Sequence, residues 1–111
     1  MKTLAMRRHG KEYAITFEIN HYLQNGNLYV GMLTREDNHP AMYGNLTVNL
    51  SVPCKANRAF IDVNNHGLGI IEWLLDNNLG HLTAREKVSG FCSYPEFEFD
   101  MDVLMQYIEG R

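Results

Sequence analysis

Residues 89 to 103 read SGFCSYPEFEFDMDV, and within them Phe97, Phe99, Met101 and Val103 alternate with Glu98, Asp100 and Asp102. A period of two places alternate side chains on opposite faces of a strand, so this run can build part of a core while holding carboxylates toward solvent. A chain with such a strand needs a covering layer, which restricts it to a sheet packed on another sheet or on helices. Asp100 is also a good helix N-cap, and Met101, Leu104, Met105 and Ile108 follow at helical spacing up to Gly110. The switch from strand to helix is expected near Asp100.

Further strands are expected upstream. Residues 3–8 and 12–20 flank His9-Gly10-Lys11, and the second run alternates, with Tyr13, Ile15, Phe17 and Ile19 against Ala14, Thr16, Glu18 and Asn20. That is a hairpin, and Asn25-Gly26-Asn27 leads to a third run from Leu28 to Leu33, giving an antiparallel meander. The polar stretch from Arg35 to Tyr43 contains Pro40, which cannot donate to a ladder, and reads as a loop of about nine residues. Leu46, Val48, Leu50 and Val52 alternate with Thr47, Asn49 and Ser51 and read as a half-buried strand ended by Pro53. A shorter strand, Ala59 to Val63, precedes the polar turn Asn64-Asn65-His66-Gly67.

From Leu68 the period becomes helical. Leu68, Ile71, Leu75 and Leu79 form one stripe flanked by Trp73 and Leu74, with Gly80 as the left-handed C-terminal residue of a helix of roughly eleven residues. The expected fold is therefore α+β: one domain over residues 1–111, an antiparallel sheet of five or six strands with two helices packed on one face. Its core should include Phe17, Val48, Leu50, Ile71, Leu75, Phe97 and Leu104. Most of the eleven asparagines stand at strand ends and turns, where their side chains bond the local backbone.

Composition narrows the function classes. A length of 111 residues with 45% hydrophobic and 21% charged residues is that of an ordinary globular chain, large enough to stand without staples. The formal charge of −3 and a basic cluster limited to Lys2, Arg7, Arg8 and Lys11 argue against direct nucleic-acid binding. Two cysteines, Cys54 and Cys92, in a chain that needs no disulfide fit a reducing compartment. No apolar run approaches membrane-spanning length and the N-terminus lacks the order of a signal peptide, so the expected location is the cytoplasm.

Each chemical constellation is incomplete. Asp62, Asn64 and Gly67 imitate the start of a calcium loop, but His66 and Trp73 stand where further ligands belong. The five histidines and two cysteines show no short metal-ligand spacing, so no metal or other cofactor is expected. A Cys92 thiolate activated by His66 or His81 is chemically possible, but Cys92 sits in a strand-like run and reads as a small buried hydrophobe. Glu96 and Glu98 share a strand face about 6.5 to 7 Å apart, a separation suited to acid–base carboxylates but more ordinary for a solvated face. Gly67-Leu68-Gly69 lacks the remaining features of a nucleotide loop.

LTVNL at 46–50, AFIDVNN at 59–65, the Trp73-Leu74 pair, and SGF followed by YPEFEF at 89–99 together resemble a family of uncharacterised small proteins. That family, of about this length, is carried on conjugative elements, plasmids and phages of Firmicutes and related gut bacteria. The resemblance implies a mobile-element setting and supplies no catalytic residues. The resulting expectation is a non-enzymatic protein-binding module, with inhibition of a host restriction or CRISPR nuclease as its anti-defence form. Its partner is a host or element-encoded protein, with no direct contact to nucleic acid or membrane. Glu96, Glu98, Asp100 and Asp102 are the expected docking residues, by charge complementarity with a basic groove. The alternative is a small-ligand binder or minor enzyme built on Asp62, His66 and Cys92.

Overall fold

The structure, a computed structural model, describes residues 2–109. The fold is α+β, but its strands form two antiparallel four-stranded sheets rather than one of five or six. The first contains β1 (Leu4–Arg8), β2 (Lys11–His21), β3 (Leu28–Glu36) and β4 (His39–Asn45), in that spatial order. The second contains β5 (Thr47–Val48), β6 (Arg58–Ile61), β7 (Gly80–Ser89) and β8 (Cys92–Phe99), in the order β5-β6-β8-β7. Three short helices are found among the described residues: α1 (Val63–His66), α2 (Gly69–Asp76) and α3 (Met101–Leu104), the last running into a 3₁₀ turn over Met105–Tyr107. The expected helix end at Gly110 lies outside the described residues.

The opening meander forms as its turn chemistry predicts. His9 and Gly10 both take positive φ, 52° and 75°, which matches the twist of a two-residue hairpin. The same logic overturns the loop expected over 35–43. Asp37 and Asn38 take φ of 50° and 65°, so β3 and β4 pair from Glu36–His39 onward. Pro40 is tolerated because β4 is an edge strand with no neighbour on its outer side in this sheet.

The chain changes sheets at Leu46. Its N–H donates to the Val30 carbonyl of the first sheet at 2.9 Å, and its own carbonyl accepts from Asp62 N–H at 2.9 Å. The long strand expected over 46–52 therefore shrinks to the two residues of β5. Beyond it Ser51 takes φ of 61°, and Asn49 bonds Asn25 and the Ser51 N–H instead of a ladder. Val48 and Leu50 are only partly buried and flank the core rather than filling it.

One apolar cluster joins both sheets and the helices, with Phe17, Met32, Leu46, Phe60, Leu74 and Phe97 among its fully buried members. Ile70 and Leu74 are the buried residues of α2, whereas Leu75, placed in the core by the sequence, is 41% exposed and Ile71 partly exposed. The buried stripe is thus rotated from the expected one. Trp73 holds this phase: its Nε1–H donates to the Ala5 carbonyl of β1 at 2.9 Å and its ring lies 6.2 Å from that of Phe17. Asn78, at φ 59°, supplies the left-handed residue after α2, and Gly80 instead opens β7. At the C-terminal end Ile108 bridges to Phe17, and Glu109 accepts from Thr16 Oγ1 and pairs with Arg35, both at 2.5 Å. That cover accounts for Thr16 being buried on the face of β2 opposite Phe17.

Candidate functional site

The expected acidic row is not a row in the folded chain. Phe97 and Phe99 point into the core as the alternation predicts, but Glu96 is 1% exposed and is not a solvent-facing carboxylate. Its cover comes from a β-bulge. Leu82 pairs with Phe97 and Glu86 with Pro95, so Thr83, Ala84 and Arg85 of β7 stand opposite Glu96 alone, with Ala84 at φ 71°. Thr83 Oγ1 donates to Glu96 Oε1 at 2.7 Å and Arg85 Nη1 to Oε2 at 3.2 Å, while Arg58 Nη1 lies 3.9 Å away. Arg85 also donates to the Pro53 carbonyl at 3.2 Å and lies over the Phe60 ring at 5.3 Å. The carboxylate therefore anchors the bulge and the segment before β6.

Its neighbours take up the other carboxylates. Glu98 pairs with Arg58 Nε at 2.7 Å and faces His81 Nε2 at 3.6 Å, and the Arg58 hydrogen bond holds its carboxyl below the ordinary glutamate range. Asp100 caps α3, as its position predicts, accepting from the Asp102 and Val103 N–H groups. Asp102 alone is exposed at the start of that helix without such a task.

Burial, and then the Glu96 carboxylate, push the Cys54 thiol up to about 11 from 9.0. At pH 8 about one such thiol in a thousand is ionised, so alkylation of Cys54 in a folded Cys92→Ser variant should run roughly a hundredfold slower than at an unperturbed thiol. Its rate should rise about tenfold per pH unit up to pH 11. Iodoacetamide labelling followed by mass spectrometry measures both, and a rate equal to that of the unfolded chain would contradict the placement.

The alternative set is brought together in part. Asp62 and His66 line a polar cavity of about 430 Å³ with Arg8, Tyr43, Asn45 and Asn65, at the junction between the two sheets. Cys92 is not among its lining residues; it sits at the start of β8, where its thiol faces the Ser93 carbonyl. His66 Nε2 lies 2.6 Å from the Asn45 carbonyl, and Arg8 Nη1 lies 3.5 Å from His66 Nδ1. A carbonyl only accepts and a guanidinium only donates, so the tautomer with its proton on Nε2 is the one that satisfies both contacts. Both ring nitrogens are engaged, and no Cys, Ser or Thr side chain is among the lining residues to serve as the nucleophile that a base would activate. No group of three His, Cys, Asp or Glu side chains that could hold a metal ion occurs among the described residues.

A third site was hidden by the helix phase. Rotating Ile70 and Leu74 inward leaves Leu68 76% exposed, with Ile71 beside it, facing Leu82 of β7, 43% exposed, and Pro95 of β8. These residues line an apolar groove of about 570 Å³ with Glu72 and Glu86 at its margins. The signal was present: α2 carries two apolar stripes, and a helix of a small domain covers a core with only one. No Lys, Arg or His lines the groove.

No helix among the described residues is long and apolar enough to cross a membrane. No curated protein and no solved structure matches the chain. The model of the family described as "Domain of unknown function (DUF4313)" matches residues 16–110, a span that leaves out β1 and the start of β2 but holds the second sheet and the groove, and the chain belongs to this family.

Proposed function

We propose that the chain is a non-enzymatic protein-binding module and that its docking surface is the apolar groove between α2 and the β7–β8 hairpin. The observation that carries this reading is the groove itself. Apolar side chains gathered in one exposed depression cost free energy in water, and a partner that covers them lowers it. Glu72 and Glu86 at its margins, with no cation in the lining, select a polypeptide segment whose apolar side chains are flanked by Lys or Arg.

A cytoplasmic mobile-element protein that occludes a host protein, including a defence nuclease with basic surfaces, is the setting this reading fits. Glu98, already paired with Arg58, and the exposed Asp102 are outside the groove's lining and form at most a second contact, an acidic margin, for a basic partner. Glu96 and Asp100 are committed to the bulge and the helix cap, so the apolar groove replaces the acidic row as the primary contact.

The test begins with a partner captured from host lysate, its bound segment mapped and its affinity measured by calorimetry at two salt concentrations. The double variant Leu68→Asp with Leu82→Asp should bind at least about tenfold more weakly, with little change in melting temperature because both side chains are exposed. Glu72→Lys with Glu86→Lys should lower affinity and flatten its salt dependence. Undiminished binding by the leucine double variant, with loss instead in Glu98→Lys plus Asp102→Lys, would move the dock to the acidic margin.

A further inference from the structure

The polar cavity at the junction of the sheets holds two opposite charges that no ion pair among the described residues neutralises. Arg8, at the end of β1, hydrogen-bonds His66 Nδ1 and the Asn65 carbonyl, the latter at 3.2 Å, and has no carboxylate partner among the described residues. Asp62 is 8% exposed and likewise has no cationic partner there; it accepts only from Asn65, through the backbone N–H at 3.3 Å and through Nδ2 at 2.7 Å. A nearly buried carboxylate and a guanidinium that both lean on one neutral residue are each short of a counter-charge. Asn65 contacts both, so the two charges stand on either side of a single residue.

We infer that this cavity binds a small zwitterion of the free α-amino acid class, with its carboxylate on Arg8 and its ammonium on Asp62. A simple anion would meet the Asp62 carboxylate, and a simple cation the Arg8 guanidinium, so each half alone is opposed by one wall. A zwitterion whose charges are separated by one carbon meets both walls favourably. Arg8 presents the forked donors that carboxylates take in bidentate fashion. The volume of about 430 Å³ leaves room for a side chain, which Tyr43 and the His66 ring, stacked at 6.4 Å, would flank. This site is separate from the apolar groove, whose lining residues it does not share.

The experiment is an amide NMR titration of the whole chain with glycine, L-serine and L-phenylalanine, compared with N-acetylglycine and glycinamide as the anionic and cationic halves. At least one amino acid should give saturable shifts at Asn45, Asn65 and His66 with a Kd of about 1 mM or tighter, and both halves should bind at least tenfold more weakly. Arg8→Met and Asp62→Asn should each weaken that binding at least tenfold, and asparagine preserves the N-cap of α1. If Asp62→Asn does not fold, Arg8→Met and the two half-ligands still decide. Absence of saturable shifts up to about 20 mM, or N-acetylglycine binding as tightly as the best amino acid, would overturn the assignment.

Discussion

Gly80→Ala should destabilise the chain by about 3 to 5 kcal/mol, enough to leave a small domain largely unfolded at physiological temperature. Gly80 opens β7 at φ 150°, a backbone conformation that L side chains rarely adopt. A Cβ there would also overlap the Glu98 backbone carbonyl and stand 2.7 Å from the Phe97 ring. Neither obstacle yields cheaply, since the carbonyl belongs to the paired strand and the ring is fully buried in the core. Urea unfolding of the variant beside the parent measures the loss. A midpoint close to the parent's would show that the start of β7 pairs differently. The position distinguishes two readings of the same residue: as a helix C-terminal glycine, its replacement by alanine would cost only about 1 kcal/mol.

The legible parts of this fold are those where one local rule acts alone. Alternation fixed the inward face of Phe97 and Phe99, positive-φ turn residues fixed the first hairpin, and Asp100 capped the helix where its side chain can reach two free N–H groups. The failures arise where tertiary cover decides. β7, HLTAREKV in sequence, shows no alternation because most of it is an exposed edge, so no strand was expected there. Without β7 there was no bulge, and without the bulge nothing indicated that Glu96 is enclosed by Thr83 and Arg85. Pro40 argued against a strand by a rule that holds for interior strands and not for the edge position it occupies. The candidate groove was missed for a related reason. Leu68, Ile71 and Leu75 are spaced as a core stripe, and the competing stripe of Ile70 and Leu74 prevails because Trp73 ties the helix to β1.

That competition between stripes sets the second large effect. Leu74→Ala should cost about 2 to 5 kcal/mol, whereas Leu75→Ala, one residue away on the same helix, should cost less than about 1 kcal/mol. Leu74 is fully buried among both sheets, and removing its terminal carbons leaves a cavity that the strands, held by their ladders, can only partly close. Leu75 already meets water over two-fifths of its surface, so its truncation removes little buried area and relieves some apolar exposure. Alanine favours the helix at both positions, so the difference between the variants reports packing and not helix propensity. Denaturant midpoints of the two variants, at unchanged slope, give the comparison directly. Equal losses would mean that α2 is turned so that both stripes are buried, which would close the groove beside Leu68 and Ile71. A large loss at Leu75 with a small one at Leu74 would restore the phase read from the sequence and withdraw the proposed dock.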